Sequence, residues 1–233
     1  MTMTRRERLR ENTREEIKSI ARRHMQEQGT AAISLRAIAR DMGLTVTALY
    51  RYYPSHDDLV TALILDAFNS LADAMENADS SQPRERYANR LMAVMLAYRA
   101  WALQNSADFQ LIYGNPIPGY HAPREITVPA VVRGFRVVVG ILAEAMANGQ
   151  LHPSVEYQQL PPHVSAFMTE LIEQDGYNIP LEPMYFGVSG WVKMHGMIML
   201  ELFQHTPAVV GDPEEFYRFE INNILKTAGL TLD

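Results

Sequence analysis

The sequence predicts an all-α fold: an N-terminal helix-turn-helix three-helix domain, joined by a linking helix to a larger helical domain. Apolar residues recur three or four positions apart, the spacing of one helical face, along most of the 233 residues. No segment shows the convincing alternation of a half-buried strand. Residues that cap or end helices stand where the apolar stripes begin or stop. Together these patterns predict roughly nine or ten helices.

The composition excludes several classes of protein. Hydrophobic residues make up 47% of the chain and charged residues 21%, which is typical of a globular protein with a real core and not of a disordered chain. The absence of cysteine excludes a disulfide scaffold, a thiolate zinc site and a cysteine nucleophile. No uninterrupted apolar run approaches the roughly 18–20 residues of a membrane span, and the charged N-terminus lacks a signal-peptide core. We therefore expect a cytoplasmic protein without membrane contact.

The net charge of −6 conceals an asymmetry along the chain. Residues 1–53 hold eleven Arg and Lys against six Asp and Glu, a net +5, which leaves −11 for residues 54–233. A basic end on an acidic body indicates that one end of the molecule meets a polyanion. The alternative is an ordinary solvated helix, because Arg and Glu are interspersed there.

Capping residues delimit the first helices. Apolar positions predict a helix over residues 13–28 that ends at Gly29, a residue free to adopt positive φ. Ser34 is a good N-cap for a second helix, which Gly43 ends after two turns.

Two further capping signals follow. Thr45 caps a short third helix, which Pro54 ends because proline disfavours helical geometry in the residue before it. Ser55 then caps a linking helix over residues 55–77.

Later helices are predicted over residues 84–105, 125–147, 161–175, 184–205 and 213–228, with a short helix and an irregular loop within 109–123 and a loop over 176–183. The β-branched run inside residues 125–147 is interpreted as a buried helix because it is long and contains no turn.

The segment Ser34–Tyr53 carries the most functional information. Its two short helices meet at a glycine-containing turn, the arrangement of a helix-turn-helix, whose second helix enters the DNA major groove. The N-termini of such helices present free backbone N–H groups that suit phosphates. An ordinary helical hairpin would give the same two-helix pattern.

Residues 13–60 resemble the DNA-binding domain of the TetR family of transcriptional regulators. The matching residues are Ala21, Gly29, Ser34, Ile38-Ala39, Gly43-Leu44-Thr45, Leu49 to Pro54-Ser55, and Leu59. The resemblance implies a homodimer on a palindromic double-stranded DNA operator, with residues 46–52 as the recognition helix and Leu49 and Tyr53 as packing positions. The DNA-binding residues that it implies are Ser34, Thr45, Val46, Thr47, Ala48, Tyr50, Tyr52 and His56.

His56 departs from the family pattern, which commonly has lysine at this position. A neutral imidazole can donate a hydrogen bond to a phosphate but lacks the fixed charge of lysine. We therefore expect operator affinity to depend on pH. Residues 1–12 are expected to form a basic arm ahead of the first helix, in which the arginines of residues 5–10 either contact phosphates or the minor groove, or remain solvated.

Residues 83–205 resemble the ligand-binding domain of a TetR subgroup with a C-terminal domain of the WHG type. The matching residues are Phe109 to Gly114, Pro116 to Tyr120, and Trp191 with His195-Gly196. The resemblance implies that residues 61–233 form an effector and dimerisation domain, and that the protein is a repressor. It implies no particular ligand.

The predicted effector pocket is drawn from aromatic, methionine and histidine residues of this second region, although the ordinary interpretation of each one alone is a core residue. A small hydrophobic or aromatic molecule is the expected effector. The candidate residues are Met95, Tyr98, Trp101, Phe109, Tyr113, Phe167, Trp191 and His195. Gly187, Gly190 and Gly196 predict that another backbone approaches their helix closely, so this helix is the first candidate for the dimer interface and residues 161–175 are the second.

Motifs of common enzymes are missing from the sequence. None of the seven histidines has a recognised metal-ligand spacing, and no nucleophile elbow or phosphate-binding glycine loop occurs. We therefore expect no catalytic residue, no metal and no cofactor. The alternative function is a helical small-molecule-binding or interaction module without specific DNA binding, which the salt dependence of DNA affinity would distinguish.

Overall fold

The computed structural model describes residues 4–152, 160–174 and 179–232, and it confirms the all-α prediction. Within those ranges the chain forms eleven α-helices and no strand. A single 3-10 turn over Thr30–Ala32 follows the first helix. The helices are α1 Arg5–Gln28, α2 Leu35–Asp41, α3 Val46–Leu49, α4 His56–Ser80, α5 Tyr87–Gln104, α6 Ser106–Tyr113, α7 Arg124–Ala147, α8 Pro162–Gln174, α9 Leu181–Leu202, α10 Pro207–Val210 and α11 Pro213–Thr227.

Most predicted helices are present with slightly shifted ends. The β-branched run is helical, as predicted, within α7. The short helix α10 was not predicted, and Leu181 starts α9 three residues before the expected position because Pro183 is tolerated in its first turn. The predicted loop over residues 176–183 lies partly outside the described residues.

The prediction that residues 1–12 precede the first helix is wrong for Arg5 onward. Helix α1 begins at Arg5 because Thr4 and Glu7 form a capping box: the Glu7 N–H donates to Thr4 Oγ1 at 3.2 Å, and the Thr4 N–H donates to Glu7 Oε2 at 2.7 Å. These two bonds satisfy backbone donors that would otherwise fray the first turn.

The described part of the chain divides into two compact units. The first comprises residues 4–68 and 105–129, and the second comprises residues 69–104 and 130–232. This division differs from the predicted boundary, which assigned everything from residue 61 onward to the effector domain.

Polar and aromatic contacts explain why residues 105–129 belong to the first unit. The Arg22 guanidinium donates to both carboxylate oxygens of Asp108, at 3.0 and 2.9 Å. Tyr113 packs edge-on against Phe68, with the ring centroids 5.8 Å apart. These side chains attach α6 to α1 and α4.

The second unit is held by a buried charge network and by close helix packing. Arg90 donates two hydrogen bonds to the Asp79 carboxylate and another to Glu144, which links α4, α5 and α7. Tyr217 of α11 donates to the Met95 carbonyl of α5 at 3.0 Å in the buried interior. Both contacts satisfy polar groups that would be costly to bury alone.

Among the described residues, α7 is the one helix long and apolar enough to cross a membrane by length and composition. A core helix of a globular protein satisfies the same test. Helix α7 packs on α4, where Gly134 lies beside Ala72 and Met75, and Arg133 forms ion pairs with Asp73 and Glu76. These contacts are those of a helix packed inside a helical unit.

Candidate nucleic-acid interface and effector region

The α2–turn–α3 segment is built by the capping residues that the sequence predicted. The Ala37 N–H donates to Ser34 Oγ at the start of α2, and the Ala48 N–H donates to Thr45 Oγ1 at 3.2 Å at the start of α3. Gly43 adopts φ +65° in the turn, which a residue with a side chain would adopt only at a steric cost. These local devices set the direction in which α3 leaves α2.

Helix α3 and its flanking residues have one buried side and one exposed side. Leu49 and Tyr53 are buried, which confirms their predicted packing role. Thr45, Thr47 and Tyr50 are exposed. The remaining predicted DNA-binding residues, Ser34, Val46, Ala48, Tyr52 and His56, are half-buried.

The helical part of the recognition segment is shorter than predicted. Regular helix covers Val46–Leu49, and residues 50–52 continue as a turn in which the Tyr50 N–H still donates to the Val46 carbonyl at 3.2 Å. The predicted span 46–52 is therefore one compact element, helical at its start and a turn at its end.

Three exposed arginines adjoin this element and were counted in the sequence only as charge. Arg36 and Arg40 lie on α2, and Arg51 follows α3. These exposed guanidinium groups of the helix-turn-helix supply positive charge that suits a phosphate backbone. The excess of basic residues over residues 1–53 was the sequence signal that could have identified them.

A partly buried polar contact fixes α1 against the end of α2. His24 Nε2 lies 2.9 Å from Asp41 Oδ2, and Arg23 donates to the same oxygen at 2.9 Å. The hydrogen bond from His24 is the main cause of a lowered pKa at Asp41, and Arg23 adds to it. Asp41 thus stays ionised and holds α1 beside the turn that starts α3.

The candidate effector residues fall into different parts of the chain. Phe109 and Tyr113 lie in the first unit, whereas Met95, Tyr98, Trp101, Phe167, Trp191 and His195 lie in the second. Phe167 is 67% exposed on α8, and its place in the effector pocket stays a prediction. No described residue of α8 is buried, so this helix has no face that the described part of the chain covers fully.

His195 and its neighbours form the polar part of this group. The Trp191 and His195 rings, four residues apart on α9, have centroids 5.2 Å apart. Tyr98 Oη lies 3.4 Å from His195 Nδ1. Burial lowers the pKa of His195, so the imidazole is neutral at pH 7 and can accept or donate one hydrogen bond.

Trp101 and Met95 have structural partners inside the second unit. Trp101 Nε1 donates to Ser70 Oγ at 2.9 Å, and the Met95 carbonyl accepts the hydrogen bond from Tyr217. Two described cavities of this unit, of about 310 and 160 Å³, contain none of the candidate effector residues. The effector site therefore stays a prediction.

No candidate metal site occurs among the residues that the structure describes. No group of three or more His, Asp or Glu that could hold an ion occurs among residues 4–152, 160–174 and 179–232. The described residues include the short helix α3, which has exposed hydroxyl groups on one side and buried apolar side chains on the other. The fold and this segment define a helix-turn-helix protein.

Family models match most of the chain. Residues 17–63 match the model of bacterial regulatory proteins of the tetR family. Residues 91–224 match the model of the tetracyclin repressor-like C-terminal domain. The chain belongs to the TetR family and is a DNA-binding transcriptional regulator.

Individual relatives agree with this assignment. The HTH-type transcriptional regulator Rv1816 of Mycobacterium tuberculosis (strain ATCC 25618 / H37Rv) is 31% identical over 205 residues, which cover 88% of this chain and 87% of the relative. The solved structure of SCO4313 has a TM-score of 0.78 and 31% identity, over 96% of this chain and all of the other. A protein of unknown function from Rhodococcus sp. RHA1 shares the fold at a TM-score of 0.71 and 20% identity, with coverage of 93% and 95%.

His56 gives a pH-dependent prediction for this regulator. It opens α4, and its Nδ1 lies 3.1 Å from Asp57 Oδ1. The dependence of operator affinity on pH that the sequence predicts for this side chain stays a prediction, which a comparison of the wild type with His56→Ala between pH 6 and pH 8 would test. Fluorescence anisotropy at constant salt would measure this, with His121→Ala as an exposed-histidine control. Identical pH profiles of the wild type and His56→Ala would contradict the prediction.

Proposed function

We propose that this chain is a cytoplasmic repressor of the TetR type that binds a palindromic operator as a homodimer and releases it when a small hydrophobic or aromatic effector binds. The observation that carries the DNA-binding part is the exposed face of α3, where Thr45, Thr47 and Tyr50 stand on the buried Leu49 and Tyr53. Short hydroxyl side chains at the start of such a helix reach base edges and phosphates.

Two copies of this face would read two half-sites. The recognition helices of a helix-turn-helix dimer enter successive major grooves about 34–36 Å apart, or a multiple of that distance. An effector that favours another spacing lowers operator affinity, typically by 1–3 kcal/mol, or roughly 5- to 150-fold. Helix α4 is the proposed lever, because this single helix contributes residues to both compact units.

The first experiment is anisotropy on duplexes that flank the chain's own gene, and on duplexes selected from random sequence, at several salt concentrations. Saturable binding that weakens steeply with salt and exceeds binding to a scrambled duplex supports an operator-binding regulator. Failure to discriminate any selected duplex from scrambled DNA favours the alternative, a helical small-molecule-binding or interaction module.

The recognition face can be tested by two small substitutions. Thr47→Ala and Tyr50→Phe are each expected to weaken operator binding about 10-fold, because each removes one hydroxyl without disturbing the buried side of α3. Dimerisation should not change. Thr231→Ala, an exposed threonine far along the chain, is the matched control. Wild-type affinity in both variants would show that this face is not the one that meets DNA.

The homodimer is proposed to form through α8 and α9. Every described residue of α8 is at least partly exposed, and its apolar residues Val164 and Phe167 face solvent. On α9, Val192 and Leu200 are more than half exposed. Apolar patches of this kind are typical of association surfaces, which deplete charge at their centre. A second copy would bury the two patches against each other with two-fold symmetry.

The proposed interface predicts that one positive charge introduced on α8 disrupts the dimer. Phe167→Arg is expected to convert the dimer to a monomer at micromolar concentration, because the guanidinium would be buried without a partner in the interface. Light scattering after size exclusion measures the mass. Val209→Arg places the same charge at a site that is 83% exposed on α10 and should leave the mass unchanged. A dimeric Phe167→Arg variant would place the interface elsewhere.

A further inference from the structure

Helix α1 extends well beyond the core that it helps to build. Its first buried residue is Ile17, and residues 5–12 are exposed on all sides. At about 1.5 Å per residue, the twelve steps along the helix from Arg5 to Ile17 cover roughly 18 Å. The capping box of Thr4 and Glu7 stabilises the start of this extension, and the hydrogen bonds from Thr4 lower the pKa of Glu7.

The arginines of the extension are not distributed evenly around the helix. Arg6, Arg10 and Arg14 are four residues apart and form one stripe along the helix. At about 100° per residue, this stripe is in line with Ile17 and Ala21, which are fully buried. The face of α1 that packs on the core therefore changes from apolar residues to arginines where the core ends.

Arg14 shows which side of the unit this stripe faces. Its guanidinium carbon lies 4.9 Å from the centroid of the Tyr53 ring. Tyr53 directly follows the proposed recognition segment, residues 46–52. Arg10 and Arg6 lie on the same stripe, about 6 and 12 Å further along the helix axis from Arg14. They therefore continue the same face of α1 beyond its contact with Tyr53.

The two outer arginines of this stripe, Arg6 and Arg10, differ from the later cations of α1. Lys18 pairs with Glu15 and Asp66, and Arg22 pairs with Asp66 and Asp108. Among the described residues, neither Arg6 nor Arg10 forms an ion pair or a hydrogen bond through its side chain. Their guanidinium groups are available to an external anion.

We propose that Arg6 and Arg10 contact the phosphate backbone of DNA that flanks the half-site read by α3. The inference rests on the proposed operator binding and adds a binding surface to it. Guanidinium groups at successive turns of one helix face can bind phosphates without reading bases. The stripe therefore contributes to affinity and to its salt dependence, and it does not contribute to sequence preference.

Two double variants remove equal charge from opposite sides of the extension. Arg6→Gln/Arg10→Gln alters the stripe, and Arg5→Gln/Arg8→Gln alters the opposite face. Both keep good helix formers at exposed positions, so the fold is preserved, which circular dichroism would verify. The probe is a duplex that the wild type has selected from random sequence, once with long flanks and once trimmed to the half-sites.

The stripe variant is expected to lower the slope of log affinity against log salt by about 0.9 for each phosphate that it no longer binds, or roughly 3.6 for two phosphates in each subunit of a dimer. Its preference for the selected over the scrambled duplex should not change, and trimming the flanks should weaken wild-type binding to the same extent. Equal effects of both double variants would overturn the proposal in favour of general charge attraction, and wild-type behaviour of the stripe variant would overturn it outright. Failure of the proposed function is a distinct result, in which the wild type itself selects no duplex.

Discussion

Arg90→Met is expected to lower the free energy of unfolding by about 3–5 kcal/mol, because it leaves carboxylates in the network without their buried cation. Arg90 is 1% exposed and donates to Asp79 Oδ1 at 2.7 Å, to Glu144 Oε2 at 2.6 Å and to the Arg84 carbonyl at 3.0 Å. Methionine has a similar length but donates no hydrogen bond. Urea unfolding at a fixed protein concentration would measure the decrease.

Arg84→Met is the matched control for this network. Arg84 donates to the same two carboxylates, but its side chain is 54% exposed, so water replaces its contacts at a cost of about 1 kcal/mol or less. Similar destabilisation of the two variants would contradict a special role for the buried guanidinium.

The network also predicts a dependence on acid pH. Burial raises the pKa of Asp79, but the hydrogen bonds from Arg90 and Arg84 outweigh it and the net pKa is lowered below 3.8. A lowered folded-state pKa means that the stabilisation is present above pH 3.8 and disappears as the pH falls through the folded-state value. The difference between the wild type and Arg90→Met should therefore shrink at the lowest pH values.

Gly187→Ala is expected to destabilise the protein by about 1–3 kcal/mol, although alanine normally favours a helix interior. A Cβ at this position of α9 would lie 2.7 Å from Val139 Cγ1 of α7. Val139 is fully buried, and its branched side chain has one strongly preferred rotamer in a helix, so it cannot move aside at low cost. Thermal and urea unfolding would both report the change.

Gly190→Ala, three residues later on the same helix, is expected to have the opposite sign. Among the residues that the structure describes, its new Cβ would meet only Ile224 Cγ2, at 3.7 Å, which is ordinary van der Waals contact. The substitution should stabilise the protein by up to about 1 kcal/mol through helix propensity. A stabilised Gly187→Ala variant would show that α9 and α7 are less closely packed than in this structure.

The close approach at Gly187 also corrects the predicted reason for the glycines of α9. They were expected to admit another backbone in a dimer interface. At Gly187 the neighbour is instead a valine side chain of the same chain, and a Cβ at Gly196 would have no neighbour within 4 Å among the described residues. Spacing in the sequence identified the helix as unusual, but it could not identify which element approaches it.

Local signals predicted the N-terminal unit well because short-range hydrogen bonds build it. Ser34, Thr45 and Ser55 each accept a backbone N–H three residues later, as the sequence predicted. The start of α1 was missed, although Thr4 and Glu7 have the spacing of a capping box. The arginine-rich composition of residues 5–10 led to the prediction of a solvated or DNA-contacting arm in place of a helix.

The amino-acid sequence alone determined the helical class, the capping residues and the family to which the segment Ser34–Tyr53 belongs. These properties depend on periodicity and on contacts within a few residues. Only the tertiary structure decided that Arg90 is buried, that Phe167 is exposed and that residues 105–129 join the first unit. Such properties depend on contacts between residues far apart in the chain, such as the 86 positions that separate Arg22 from Asp108. The periodicity of a single helix specifies an apolar face, but it does not specify which surface covers that face.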